Sequence, residues 1–199
     1  MSSKSRRLDS VCVYCASSNA ADPEFLAAAA TLGGIIAGEG LRLVYGGGGV
    51  GLMGACALAA HEAGGRVLGV IPKFLTSHER PLPSVNTVIV TSMHERKMMM
   101  FEESDGFIIL PGGIGTLEEV IELLSWRRLA LHSKPVVFYN PGGFWGPLFD
   151  LFKHFVDQKL IPPEFPQTWA TVDKVEDLLP TLRSMPTDAF SSLTFVEKV

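Results

Sequence analysis

Gly106-Phe-Ile-Ile-Leu-Pro-Gly-Gly-Ile-Gly-Thr-Leu-Glu-Glu119 is the stretch that decides the fold. Its first five residues are apolar throughout instead of alternating, which is the pattern of a strand covered on both faces. A Pro-Gly-Gly turn follows, and from Thr116 the chain reads as a helix predicted to run to Leu131. A doubly covered strand that passes at once into a helix is one step of a parallel α/β sheet.

The same step recurs along the chain. Short β-branched or aliphatic runs predict strands at 11–14, 41–45, 67–71, 85–90, 106–110 and 135–139, with a fainter pattern at 169–172. Helical stretches are expected between them at 23–39, 50–63, 93–104, 116–131, 144–159 and 174–183. The alternation predicts an α/β fold, a Rossmann-like doubly wound parallel sheet in a single domain. That domain is expected to span residues 10–185, between an N-terminal tail at 1–9 and a C-terminal tail at 186–199. In such sheets ligands sit beyond the carboxyl ends of the strands.

Composition narrows the partners. The 199 residues carry a formal net charge of −4, with a pI near 5.7, which argues against a nucleic-acid binder and its basic face. No apolar run approaches the ~18 residues of a membrane span, and no apolar region follows the charged start, so a cytoplasmic protein is expected. Three cysteines give no disulfide framework, in keeping with a reducing compartment. Cys12 and Cys15 form a C-x-x-C, but on a strand an odd spacing sends the two side chains to opposite faces, against a redox or metal pair. The histidines, His61, His78, His94, His132 and His154, are dispersed without ligand spacing.

The 20 glycines are clustered, and two clusters follow predicted strands directly. Tyr45-Gly-Gly-Gly-Gly-Val-Gly-Leu-Met-Gly54 contains a G-x-G-x-x-G at Gly49, Gly51 and Gly54. It follows the second strand, and about 20 residues on, Gly69-Val-Ile-Pro-Lys73 offers no acidic residue for a ribose diol, so a dinucleotide site is disfavoured. Two readings remain open for this loop: a tight turn with close helix packing, or backbone amides that reach a phosphate.

The second cluster is more specific. Gly112, Gly113 and Gly115 allow successive N–H groups to converge into an anion nest, to which the following helix adds its positive end. Glu118 and Glu119 are then expected in the first helical turn. Thr116 with Glu119 also fits a capping box, a purely structural alternative. The cationic counterweight comes from Ser92-Met-His-Glu-Arg-Lys-Met-Met-Met-Phe101, where Arg96 and Lys97 project along an apolar helical stripe and require a partner unless they snorkel to water.

Pro111-Gly-Gly-Ile-Gly-Thr-Leu-Glu-Glu119, preceded by Met93-His-Glu-Arg-Lys97 and Tyr45-Gly-Gly-Gly, resembles the LONELY GUY family of cytokinin-activating phosphoribohydrolases, often mislabelled lysine decarboxylases. The resemblance extends from about Val11 to Val172 and includes Cys15-Ala-Ser-Ser18, Ile71-Pro-Lys73 and Trp126. It implies hydrolysis of the N-glycosidic bond of N6-modified adenosine 5′-monophosphates, with AMP a further candidate, to free base and ribose 5-phosphate. It maps the catalytic pair onto Arg96 and Glu119. Around the nucleotide it implies Ser17, Gly47, Lys97, Gly112, Gly113, Ile114, Gly115, Thr116, Leu117, Glu118 and Ser125, with Glu79 near the base. Ser125 stands where many members have Thr, and Ile114 where plant members often have Tyr, which alters the pocket wall.

Elementary chemistry agrees with this mapping. Breaking a C1′–N bond builds an oxocarbenium-like cation, which a nearby carboxylate stabilises mainly in the transition state. Glu119 is expected to do this and to orient or deprotonate the attacking water. Arg96 would hold Glu119 and the ribose phosphate in register, and Glu118 would grip ribose hydroxyls. No metal or cofactor is called for.

A pyridoxal-dependent decarboxylase needs a Schiff-base lysine, and nothing in the sequence singles one out. The competing class is a non-catalytic carrier of a nucleotide or phosphorylated cofactor, which needs the glycines but not the carboxylates. Finally, Val120, Ile121, Leu123, Leu124, Trp126, Leu129 and Leu131 spread round the predicted helix, so an apolar face remains beyond the one the sheet covers, and a homodimer is expected.

Overall fold

A computed structural model of the chain describes residues 8–186. The tails expected at 1–9 and 186–199 thus lie outside the described residues except for Leu8, Asp9 and Pro186. Leu8 is buried in the core, and the Asp9 and Ser10 amides donate to the Asp105 carboxylate, which ties the start of the fold down.

All seven expected strands are present: β1 (Ser10–Tyr14), β2 (Arg42–Tyr45), β3 (Arg66–Pro72), β4 (Asn86–Val90), β5 (Gly106–Ile109), β6 (Val136–Tyr139) and β7 (Ala170–Val172). They form one wholly parallel sheet in the order β4-β3-β2-β1-β5-β6-β7. Val13 is the hinge of the register, opposite Tyr45 of β2 on one side and Ile108 of β5 on the other. The chain winds outward from β1 to β4, returns to the centre, and winds the other way from β5.

Right-handed crossovers then put the two sets of helices on opposite faces. On one face lie α1 (Pro23–Gly38), α2 (Gly51–Glu62) and α7 (Leu178–Ser184), whose Leu32, Ile36, Leu52 and Leu178 meet Val11 and Val13 of the sheet. On the other lie α4 (Met93–Glu102), α5 (Ile114–Arg128) and α6 (Gly146–Asp157), whose Met100, Val120, Leu123 and Phe152 meet Cys12, Tyr14 and Phe107. Each such fully buried side chain contributes about 1.5–3 kcal/mol. Phe138 of β6 packs edge-on against Trp145 and Phe149, and Phe149 stacks on Trp169, so the stretch after Gly146, which contains no further glycine, serves packing.

Period-two alternation puts Cys12 in one core and Cys15 in the other, as expected. All three cysteines are free and buried, and burial pushes their thiols up, that of Cys56 to about 12. Several short helical turns went unanticipated, among them the 3₁₀ turns Pro141–Gly143 and Phe165–Thr168. Between β3 and β4 a turn of 3₁₀-helix, Lys73–Leu75, runs into the four-residue α3 (Thr76–Glu79), too short to leave a periodic signature.

Candidate active site

The reversal of winding between β1 and β5 opens a crevice at their carboxyl ends, and a cavity of about 280 Å³ lies beside it. Cys15, Ala16, Ser17 and Ser18 line it after β1, Gly46 after β2, and Met53 from α2. Glu79 enters from the end of α3, Arg96 from α4, and residues 113–116 with Glu119 from the start of α5.

The two glycine loops do different work. Gly113, not Thr116, is the N-cap of α5, and no side chain caps it. Thr116 is the third residue of the helix and buried, so the capping box is not formed, and Glu118 and Glu119 fall in the second turn instead of the first. A Cβ at Gly112 would stand 2.2 Å from Thr116 Oγ1, so this glycine admits the inward threonine. The leading amides of α5 have no acceptor within the helix, and the residues that carry them line the cavity.

The start of α2 is already satisfied. The Gly51 amide donates to Asn19 Oδ1 at 2.8 Å, and those of Leu52 and Met53 donate to Ala16 O at 3.0 and 3.3 Å. The reading of this loop as a phosphate cradle therefore gives way to close packing. A Cβ at Gly46 would lie 2.0 Å from Arg96 Nη2, and one at Gly48 would lie 3.1 Å from Glu79 Cβ. These glycines make room for side chains that arrive from elsewhere in the chain.

Arg96 is the centre of the charge arrangement. It is buried, and its Nη2 donates to Gly46 O at 2.9 Å. Its guanidinium lies 3.9 Å from both Glu79 Oε2 and Glu119 Oε1, too far for a hydrogen bond to either. One cation thus faces two carboxyls and quenches neither. Burial raises the Glu119 carboxyl to about 7; Arg96 pulls it down, while the charges of Glu118 and Glu79 push it up. Burial also raises Glu79 above the ordinary carboxyl range against the pull of Arg96 and His78. Glu79 Oε2 is buried without a hydrogen-bond partner among the described residues.

Lys97 found its partners one helix away. It pairs with Glu118 and, at 2.9 Å, with Glu122, so the alternative of a snorkelling pair does not hold. Burial works to lower its ammonium pKa, but these two carboxylates prevail and raise it. The bridge fastens α4 to α5 one residue from both Arg96 and Glu119, and sets their register.

Of the residues named from sequence, Arg96, Glu119, Glu79, Ser17, Gly113, Ile114, Gly115 and Thr116 line the cavity together. Lys97, Glu118, Gly47, Gly112, Leu117 and Ser125 do not. Gly47 has φ +80° and packs on β3, Leu117 packs into the core, and the Ser125 hydroxyl donates to Ile121 O at 2.6 Å on the exposed side of α5. Sequence reading missed Val13, Cys15, Ala16, Ser18, Gly46 and Met53 as lining residues. The carboxyl-end rule, applied to β1 and β2, points to most of them.

Residues 53–182 match the family model described as "Possible lysine decarboxylase". The cytokinin riboside 5′-monophosphate phosphoribohydrolase LOG7 of Arabidopsis thaliana is 42% identical over 158 residues, 79% of this chain and 73% of that protein. LOG5 of the same plant is 40% identical over 179 residues, 89% of this chain and 78% of that protein. Among solved structures, a molybdenum cofactor binding protein of Rippkaea orientalis superposes with a TM-score of 0.65 at 22% identity, over 89% of this chain and 97% of that one. The molybdenum cofactor carrier protein of Chlamydomonas reinhardtii gives 0.66 at 22%, over 87% and 95%. At that identity the two structures establish a shared fold.

Proposed function

The chain belongs to the LONELY GUY family, that of the cytokinin riboside 5′-monophosphate phosphoribohydrolases, and on that premise we propose that it hydrolyses the N-glycosidic bond of N6-modified adenosine 5′-monophosphates, and of AMP, to free base and ribose 5-phosphate. The observation that carries this reading is the buried Glu119 carboxyl, 3.9 Å from Arg96 and in one cavity with the open N-terminus of α5.

In this reading the 5′-phosphate docks on the amides at the start of α5, which directs the ribose toward Glu119. Positive charge grows on C1′ as the bond to the base lengthens, and the Glu119 carboxylate opposes it in a site with little water to screen it. The same carboxylate takes a proton from the attacking water. Arg96 keeps Glu119 available as an anion. Lys97 acts at one remove, by holding Glu118 and Glu122. Glu118, so engaged, keeps one ribose-facing role only if Lys97 shares it.

A carrier of a phosphorylated cofactor would use the α5 amides and have no use for a carboxyl that is costly to bury. A pyridoxal enzyme would need a lysine in the cavity; none lines it, and Lys97 is engaged outside it. Chromatography after incubation with AMP and with N6-isopentenyl-AMP tests the proposal. Free base is expected from wild type, and Glu119→Gln is expected to bind nucleotide without turnover. Intact nucleotide after long incubation, with clear binding, would overturn the reading in favour of a carrier.

Two further parts belong to the proposal. Ile121, Leu129 and Leu131 stay exposed on and just beyond α5 while Val120, Leu123 and Leu124 are buried, which supports a homodimer through that strip. Free, buried cysteines favour a cytoplasmic location. No helix among the described residues is long and apolar enough to cross a membrane.

A further inference from the structure

Glu79 is left without a task by the steps above, yet the fold goes to some length to place it. It ends α3, and Arg80, the next residue, adopts φ +45°, a left-handed conformation that few side chains favour. The Gly49 amide donates to Glu79 O at 2.7 Å, and Gly48 is bare of the Cβ that would crowd its side chain. Its carboxyl enters the cavity from the β3–β4 connection, across Arg96 from Glu119. One of its oxygens, Oε2, is buried with no hydrogen-bond partner among the described residues.

An unpartnered buried carboxyl oxygen is expensive as an anion and comfortable as an acid. The reaction needs an acid. A purine that departs without a proton leaves as an anion, and glycosyl hydrolysis by paired carboxyls divides the labour so that one takes the proton of water and the other protonates the leaving group. Glu119 shares its helix with the phosphate nest, which puts it at the ribose. Glu79 reaches the same cavity from a different element and faces the other guanidinium nitrogen of Arg96, which leaves it to meet the base and not the ribose.

We infer that Glu79 is the acid that protonates the departing base, an assignment that rests on the hydrolase reading above. As the water oxygen bonds to C1′, the C1′–N bond breaks and its electron pair leaves with the base. Glu79 delivers its proton to a ring nitrogen of that base, and Glu119 accepts the proton the water loses. Exchange with solvent then restores both carboxyls. The groups that face Glu79 are Arg96 from α4 and Glu119 from α5, with His78 beside it on α3.

Leaving-group dependence tests this. Wild type and Glu79→Gln are compared on AMP, whose base needs the proton, and on p-nitrophenyl ribofuranoside 5-phosphate, whose p-nitrophenolate leaves unaided. Loss of about 10²–10⁴ in turnover of AMP, with the p-nitrophenyl compound cleaved within a few-fold of wild type, is the expected result. Retained cleavage of the second compound also certifies that the variant is folded and binds the sugar phosphate. Equal losses on both substrates, or no loss on either, would overturn the assignment while leaving the hydrolase reading intact. Wild-type protein that cleaves neither compound would instead remove the hydrolase reading and the assignment with it.

Discussion

Replacing Glu119 by Gln should abolish turnover and, at alkaline pH, make the protein more stable. The Glu119 carboxyl titrates at about 7 in the fold against an ordinary 4.5, chiefly because it is buried. Between those values the folded protein holds a proton that the unfolded chain has released, so stability falls as pH rises, and above about 7 the full penalty applies. A shift of that size corresponds to about 3 kcal/mol, none of it felt below the unfolded value, where both states carry the proton. Glutamine has nearly the shape of the neutral acid and carries no charge at any pH.

The variant should therefore match wild type near pH 4.5 and exceed it by about 3 kcal/mol at pH 8.5. For a chain of this length that is roughly 6–12 °C in Tm. Calorimetry of both proteins at the two pH values, in buffers free of phosphate so that the α5 amides stay vacant, measures it. A Tm difference that is the same at both pH values, or a variant less stable at pH 8.5, would refute the claim that burial of this carboxyl dominates its energetics.

Gly46→Ala should put a methyl 2.0 Å from Arg96 Nη2 and displace the end of a flexible side chain, not the backbone. Turnover is expected to drop about 10²-fold with little change in Tm, read from paired kinetics and melting curves. If Glu119 acts as a carboxylate, kcat/KM of wild type on the p-nitrophenyl compound, whose departure needs no acid, should rise with pH through about 7, and a flat profile between pH 5 and 8 would count against that role. Lys97→Met removes a cation that draws the Glu119 carboxyl down, so this rise should move to higher pH, together with a stability loss of about 1 kcal/mol, small because Glu118 is half exposed. Ile121→Asp with Leu129→Asp should turn a dimer into monomers in sedimentation velocity; a wild type that is already monomeric at micromolar concentration would refute the proposed interface.

The sheet was legible because its strands announce themselves locally: Gly106–Ile109 is apolar on both faces and nothing but a covered strand explains it. β7 was fainter because it is a three-residue edge strand whose central Thr171 is exposed, so it lacks that doubly covered pattern. The start of α5 was misjudged by two residues because Thr116 and Glu119 imitate a capping box, whereas a glycine at 113 caps through the turn of its backbone and leaves no side-chain signal. α3 escaped because four residues have no period.

At the site, Arg96 and Glu119 were readable from their motifs, but why Gly46 and Gly48 must be glycine was not. Their constraint is the arrival of Arg96 and Glu79 from distant segments, a contact that exists only once the chain is folded. The company Lys97 keeps could not be read from sequence for a similar reason. Its partners are Glu118 and Glu122, and only the packing of α4 on α5 brings them to it.

The return of the chain from the sheet edge to its centre has one more consequence. Glu79, Arg96 and Glu119 follow β3, β4 and β5 in turn, within one short span of the chain, whereas the connections after β1 and β2 bring to the cavity only small or uncharged groups, from Cys15 to Ser18, Gly46 and Met53. Apart from residues 113–116 at the start of α5, the uncharged wall is therefore encoded apart from the charged groups. Residues 15–18 and the neighbourhood of Met53 can be randomised to refit the wall to a different base, with the charged trio left untouched, and any change of base preference selected that way would come without rebuilding the machinery that cuts.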